Sequence, residues 1–231
     1  MKILNLFVPK IPPGDKILFQ YLITTVNIYY KKKINIKDRI ITTASLNGVI
    51  NFYSTDLKWL SSIDDNDITG FPILCLSFNK DSSLLAYSSQ CGILKIWKLK
   101  ASDYLLNTQF KNNPVTAMSF DNEGNHLAMG FLNGDSLLLN LDIMGYTKFK
   151  QKGPAKINGI KFSPFNNSQI CLAYDDGSLR IFETTTNSKL CEFIQHEGKC
   201  CNVAFSPINK LFLTSAGFDG KINFYDIQSN K

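Results

Sequence analysis

Short apolar segments recur at a constant spacing through most of the chain. Four six-residue segments align with one another and end in phenylalanine: Ile73–Phe78, Val115–Phe120, Ile157–Phe162 and Cys200–Phe205. Their terminal phenylalanines are 42, 42 and 43 residues apart (120−78, 162−120 and 205−162). Apolar segments of this length, bounded by turn residues, predict β-strands. The constant spacing indicates that one unit of supersecondary structure is repeated along the chain.

A tight hairpin is predicted once in every repeat. Glycines occur at nearly the same spacing, at Gly48, Gly92, Gly134, Gly177 and Gly220. Four of them directly follow Asn or Asp, namely Asn47, Asn133, Asp176 and Asp219, whereas Gly92 follows Cys91. Asn-Gly and Asp-Gly pairs favour two-residue hairpin turns, because both central residues of such a turn need φ > 0.

Strands are predicted on both sides of each hairpin. Five residues after each glycine stands a large apolar residue: Tyr53, Trp97, Leu139, Phe182 and Tyr225. A fourth strand is predicted to follow in each unit, around Trp59, Leu105, Phe149 and Phe193. Strands this short bury both faces only when successive units stack against one another.

The spacing, the hairpin and the large residue after it resemble the WD40 family over about residues 34–231. The resemblance implies a β-propeller, in which four-stranded blades pack around a central axis. The Trp-Asp dipeptide of the family has diverged, since only Trp97 keeps the Trp and only Asp226 keeps the Asp. The expected fold class is therefore all-β, an incomplete WD40 β-propeller.

Four residues of the last unit resemble the hydrogen-bonded tetrad of WD40 blades: His196, Ser215, Asp219 and Tyr225, with Tyr225 in place of Trp. A buried carboxylate needs hydrogen-bond donors, which explains such a set inside a blade. A Ser/His/Asp set also matches a catalytic triad. The regular repeat framework favours the structural role, because each residue stands where the fold needs it.

Counting hairpins gives about five recognisable four-stranded blades, the first beginning near Ile34. We expect residues 1–33 to form a divergent N-terminal segment or partial blade, with candidate strands at Ile17–Leu22 and Thr25–Tyr30. We expect residues 34–231 to form the repeat array, truncated within its last blade. A seven-bladed ring needs about 294 residues at roughly 42 per blade. A fragment, an incomplete gene model and an open array completed by a partner are the alternatives.

Composition adds a mildly basic surface and no recognisable catalytic chemistry. The net charge is +6, and Arg39 and Arg180 are the only arginines among 25 basic residues. Lysine lacks the planar fork that suits base and phosphate recognition, so a solubilising surface is favoured over nucleic-acid binding. The six cysteines form no Cys-x-x-Cys pair, which favours reduced core thiols. No catalytic residue, cofactor, metal site or small-molecule substrate is predicted.

Two further expectations concern an acidic cluster and the membrane. Asp64, Asp65 and Asp67 are predicted to form a solvated loop; the alternative, a hard-cation site, lacks the spacing of a calcium loop. No apolar run approaches the roughly 18 residues of a membrane span, so no membrane association is expected.

A more specific resemblance lies in the last two units. The segments Phe205–Phe212, Gly217–Asp219 and Ile222–Asp226 are similar to a region of the GCP-WD group of WD40 proteins. That group targets the γ-tubulin ring complex to centrosomes and spindles. The resemblance implies a non-enzymatic protein-interaction scaffold for microtubule nucleation, with γ-tubulin complex components as partners and a cytoplasmic, centrosomal or spindle location. The alternative is a generic WD40 adaptor in ubiquitin ligation, RNA processing or trafficking.

Overall fold

In the computed structural model, strands and tight turns account for nearly all of the described residues. The structure describes residues 25–29 (backbone only), 40–54, 56–149, 155–165 and 167–227. These residues contain 19 β-strands and no helix. The strands form five antiparallel sheets, and in each sheet they pair in chain order.

The first four sheets each have four strands. The first sheet contains β1 (Thr25–Tyr29), β2 (Ile40–Ala44), β3 (Ile50–Ser54) and β4 (Trp59–Ile63). The second contains β5 (Ile73–Phe78), β6 (Leu84–Ser89), β7 (Ile93–Lys98) and β8 (Asp103–Gln109). The third contains β9 (Val115–Phe120), β10 (His126–Phe131), β11 (Ser136–Asn140) and β12 (Gly145–Lys148). The fourth contains β13 (Ile157–Phe162), β14 (Gln169–Tyr174), β15 (Ser178–Glu183) and β16 (Ser188–Ile194).

The fifth sheet has three strands among the described residues: β17 (Cys200–Phe205), β18 (Phe212–Gly217) and β19 (Ile222–Asp226). Successive sheets contact one another through their first strands, in the order β1, β5, β9, β13 and β17. This radial arrangement of consecutive antiparallel sheets is that of propeller blades.

Each pair of neighbouring sheets shares one apolar cluster. The cluster between the third and fourth sheets, for example, contains Ala128 and Leu138 from one sheet and Ile170 and Leu172 from the other. A sheet between two others has both faces buried, which explains why β14 is apolar at nearly every position instead of alternating. Removal of this apolar surface from water is the main contribution to the stability of the array.

A bulge near the start of the first strand links neighbouring sheets. In the third and fourth sheets the residue skipped in the pairing is Thr116 and Asn158, respectively. Thr116 Oγ1 donates a hydrogen bond to the carbonyl of Ile157, at 2.6 Å. Asn158 Nδ2 donates to the carbonyl of Cys200, at 2.8 Å. The bulged side chain of one sheet is thus bonded to the first strand of the next.

The predicted fold class is confirmed: the described residues form five sheets of an incomplete WD40 β-propeller. The predicted fourth strands around Trp59, Leu105 and Phe193 correspond to β4, β8 and β16, while Phe149 comes one residue after β12.

At the N-terminus, the candidate strand Thr25–Tyr30 is present as β1 and pairs with β2. The first sheet therefore takes its first strand from before residue 34. The other candidate, Ile17–Leu22, and any additional N-terminal blade lie outside the described residues. The division of the chain at residue 33 stays a prediction.

Candidate functional site: polar clusters and exposed surfaces

The four residues of the predicted tetrad form one chain of hydrogen bonds in the fifth sheet. His196 follows β16, and its Nδ1 lies 3.0 Å from either carboxylate oxygen of Asp219, in the β18–β19 hairpin. Its Nε2 lies 2.6 Å from Ser215 Oγ on β18. Ser215 Oγ lies 3.0 Å from the Tyr225 hydroxyl on β19. Because a carboxylate only accepts, Nδ1 of His196 is the donor to Asp219.

The chemistry of this cluster favours a structural role. His196, Ser215 and Tyr225 are buried, and the Ser215 hydroxyl is engaged by two partners, His196 and Tyr225. Burial raises the pKa of the Asp219 carboxyl, but the backbone N–H of Lys221 and the His196 imidazole outweigh it and hold the pKa below its usual value. The bonds tie the loop before β17 to the hairpin; the role of the tetrad stays a prediction.

All five hairpin glycines have positive φ, between 73° and 87°, including Gly92, which lacks the preceding Asn or Asp. A Cβ at Gly92 would lie 2.3 Å from the carbonyl oxygen of Phe110. At Gly220 a Cβ would meet no atom within 4 Å. Glycine is therefore required at Gly92 both for its backbone angle and for the close approach of the chain.

A second polar cluster, not expected from the sequence, lies in the second sheet. Lys95 on β7 is 1% exposed, and its Nζ lies 2.6 Å from an oxygen of Asp65, whose side chain is 5% exposed. The hydroxyls of Tyr87 and Tyr104 donate to the same carboxylate at 3.0 and 3.1 Å. Lys95 also contacts Asp67 at 2.6 Å. The prediction of a solvated acidic loop is therefore wrong for Asp65, because its carboxylate is buried and forms an ion pair with the buried Lys95 of β7.

The pKa shifts follow from these contacts. Burial raises the pKa of Asp65, but hydrogen bonds from Lys95 and from the backbone N–H of Asp67 hold it below its ordinary value of 3.8. Burial lowers the pKa of Lys95, but the two carboxylates outweigh it and raise the pKa above 10.5. The pair is therefore charged at neutral pH.

The two clusters occupy equivalent places in their sheets. Tyr87 and Ser215 each stand five residues before the hairpin glycine, and Lys95 and Asn223 each stand three residues after it. A tyrosine in place of a small serine, together with a lysine inside an apolar strand, was the signal in the sequence for this cluster. In the fourth sheet the corresponding position is Arg180, which is buried and binds Asp176 and Glu192 at 2.7 Å each.

Three buried cysteines contribute no activated thiol. Cys75 and Cys171 are buried in the apolar clusters, and burial raises the pKa of both thiols. Burial also raises the pKa of Cys200 to about 11. Since the thiolate is the nucleophile, these residues are inert at neutral pH.

The described residues contain neither a candidate metal site nor a membrane-spanning helix. No group of three or more His, Cys, Asp or Glu side chains in this part of the chain could hold a metal ion. Among the same residues, no helix is long and apolar enough to span a membrane.

The outward face of the fifth sheet is apolar and exposed. Ile222 and Phe224 on β19 are 65% and 76% exposed. The equivalent residues of the fourth sheet, 43 positions earlier, are Leu179 and Ile181, which are 0% exposed because the fifth sheet covers them. Within the described residues, the outer edge of β19 pairs with no strand. This face therefore has the composition of an interface between sheets.

Comparison with known proteins identifies the repeats. The family model WD40, described as WD domain, G-beta repeat, matches residues 58–98 and 187–226. Each match begins just before the fourth strand of one sheet, β4 or β16, and ends with the third strand of the next, β7 or β19. The sequence repeat therefore spans two neighbouring sheets and covers the contact between them.

Three relatives show how far the similarity extends. The chain is 24% identical to human Protein NEDD1 over 159 residues, which is 68% of this chain and 24% of the relative. It is 26% identical over 166 residues to mouse WD repeat-containing protein 90, covering 71% of this chain and 9% of the relative. It is 28% identical over 137 residues to the Caenorhabditis elegans Echinoderm microtubule-associated protein-like elp-1, covering 59% of this chain and 14% of the relative. The chain spans a quarter or less of each of these relatives. It contains WD40 repeats in the two matched stretches and resembles Protein NEDD1.

Proposed function

We propose that the chain is a non-enzymatic protein-interaction scaffold that targets the γ-tubulin complex for microtubule nucleation at the centrosome and spindle. The observation that carries the proposal is the match to Protein NEDD1, the GCP-WD protein, over 68% of the chain. The segments of the last two units that resemble the GCP-WD group lie in β17, β18, β19 and the turns between them. The elp-1 relative is named as microtubule-associated protein-like, which supports the same cellular system.

The buried chemistry supports a scaffold over an enzyme. Asp65, Lys95 and Arg180 each form an ion pair inside the sheets, and Asp219 accepts a hydrogen bond from His196. Groups arranged in this way stabilise blades, and none of these four is a free acid or base that faces a substrate. Recognition by a WD40 array is then expected on its surface loops and exposed faces.

Localisation in dividing cells tests the proposal directly. A fluorescently tagged full chain should be enriched at spindle poles and should co-purify with γ-tubulin. The variant Lys148→Met, which removes an exposed ion pair, should behave as the unmodified chain does. Lys95→Met, which removes a buried one, should lose enrichment together with fold stability. A well-expressed, folded chain with diffuse signal and no γ-tubulin would overturn the proposal.

A second candidate function is a generic WD40 adaptor in another multiprotein complex. It is favoured by the identities to WD repeat-containing protein 90 and to the Dictyostelium discoideum Periodic tryptophan protein 2 homolog, 26% and 25%, which are as high as that to Protein NEDD1. Affinity purification separates the two candidates. A stable complex that lacks γ-tubulin components would select the adaptor.

A further inference from the structure

A groove of about 690 Å³ lies between the third and fourth sheets. One wall is formed by residues of the third sheet that share a face, among them His126, Asn140 and Thr147. The opposite wall is formed by Phe162 and by turns of the fourth sheet. The volume falls within the range of roughly 300–1,000 Å³ that is usual for ligand sites.

Hydrogen bonds fix the side chains of His126 and Asn140 on the wall of the third sheet. Asn140 Oδ1 accepts from the backbone N–H groups of Asp142 and Ile143, so its amide nitrogen faces His126. That nitrogen lies 3.2 Å from His126 Nε2, which therefore accepts. The other ring nitrogen, Nδ1, donates to the buried carboxylate of Asp121 at 3.0 Å. Both ring nitrogens of His126 are therefore engaged, which fixes the orientation of the ring.

The groove is negatively charged although the chain is basic. Asp121 and Glu123 are the acidic residues that line it, and no lysine or arginine does. Among the described residues, Glu123 forms no ion pair or hydrogen bond and is exposed. The whole chain, by contrast, has 25 basic and 19 acidic residues. The groove is therefore opposite in charge to the chain as a whole, and it complements a cation.

Two further features suit a peptide rather than an isolated ion. Ile143 is 77% exposed at the rim, and Tyr146 beside it is half-exposed, so an apolar side chain has a surface to cover. On the opposite wall, Asn187 Oδ1 is buried and accepts no hydrogen bond from the described residues. A buried acceptor without a donor is destabilising. A rotation of this amide toward a donor in the groove would offset part of that destabilisation.

We propose that this groove binds a peptide segment in which a lysine or arginine is flanked by apolar residues. The basic side chain enters between Glu123 and Asn187, close to Asp121, and the apolar neighbours cover Ile143 and Tyr146. The proposal rests on the function as a protein-interaction scaffold and adds the chemical class of one partner segment.

Fluorescence anisotropy with defined peptides tests the proposal on the full chain. The probes are labelled Ser-Leu-Arg-Leu-Ser and the same peptide with Glu or Gln in place of Arg. We expect the Arg peptide to bind and the Glu peptide to bind at least tenfold more weakly. Glu123→Gln should weaken binding of the Arg peptide about tenfold, which corresponds to about 1.4 kcal/mol. Glu197→Gln, an exposed acid near the fifth sheet, is the matched control and should change nothing.

A variant that is expected to bind the Arg peptide more tightly gives a second test, because damage to the fold would weaken binding and would not strengthen it. Asn187 has φ 54°, which Asp tolerates, so Asn187→Asp adds a charge to the groove without changing the turn. This variant should bind the Arg peptide more tightly than the unmodified chain and leave the Gln peptide unchanged. Equal binding of the Arg and Glu peptides, or an unchanged affinity in both groove variants, would overturn the groove proposal. Spindle-pole enrichment of the Glu123→Gln chain would in that case still support γ-tubulin targeting, so the two failures are distinguishable.

Discussion

Replacement of Lys95 by methionine is expected to destabilise the second sheet severely. Methionine fills a similar volume but leaves the carboxylate of Asp65 buried without its cation. Removal of one partner from a buried ion pair costs about 3–5 kcal/mol. Since the total stability of a domain is roughly 5–15 kcal/mol, this is a large fraction of it. The hydroxyls of Tyr87 and Tyr104 remain as donors to Asp65, so the lower part of the range is expected.

The matched control is Lys148→Met. Lys148 and Asp135 are also 2.6 Å apart, but their side chains are 60% and 36% exposed. Exposed pairs contribute about 0–1 kcal/mol. The two substitutions therefore remove the same residue type at the same distance, and they differ in burial and in the second carboxylate, Asp67, that Lys95 contacts. The double variant Asp65→Asn/Lys95→Met should recover part of the loss, because it leaves no buried charge without a partner; Asp67, which also loses Lys95, is exposed.

Urea unfolding, followed by circular dichroism and by tryptophan fluorescence, measures these differences. Coincidence of the two signals is required before a single free energy of unfolding is derived. Because the pKa of Asp65 is lowered in the folded state, its contribution is complete above about pH 4 and is lost as the pH falls below that value. Because the pKa of Lys95 is raised, its contribution is lost only above pH 10.5. Equal destabilisation by Lys95→Met and Lys148→Met at pH 7 would refute this reasoning.

Three further predictions use the hairpins, the tetrad and the exposed face. Gly220→Ala should lower the free energy of unfolding, measured in the same urea titration, by about 1–2 kcal/mol, because alanine disfavours the positive φ. Gly92→Ala should lower it further, because its Cβ would also lie 2.3 Å from a backbone oxygen. The reverse order would contradict the geometry. Ser215→Ala should destabilise the chain by about 1–3 kcal/mol, because it leaves two buried partners unsatisfied; an unchanged unfolding midpoint would show that the hydrogen-bond chain is dispensable. The full chain should self-associate on size-exclusion chromatography through its exposed sheet face and edge, and Phe224→Ser should reduce this association; a compact monomer at every concentration would count against an exposed face in solution.

The sequence predicts the sheets well because their register depends on local features. A hairpin needs glycine at φ > 0, and a first strand ends in a phenylalanine that packs between sheets, so both recur with the repeat. The tetrad is found for the same reason, since His196 and Asp219 stand at fixed distances from the repeat markers.

The buried ion pair and the groove are harder to predict, because each depends on contacts between distant segments. Asp65 and Lys95 are 30 residues apart, and alternation alone places a lysine on the solvent side of a strand. The groove is lined by residues of two sheets, so no single repeat contains it. A residue that departs from the repeat pattern at a buried position, as Tyr87 does, is the sequence signal for a polar contact of this kind.

Thr116 and Asn158 each bond to the following sheet, so the sheets are coupled as a linear series of neighbours. Each sheet is coupled to its neighbours alone, so free energy adds along the array as nearest-neighbour contributions. The first and fifth sheets each have a neighbour on one side among the described residues, and they are the ends from which cooperative opening should begin. Native-state amide exchange would then show protection that is greatest in the third sheet and decreases toward β19. A WD40 array of this kind has a gradient of local stability as well as a repeat.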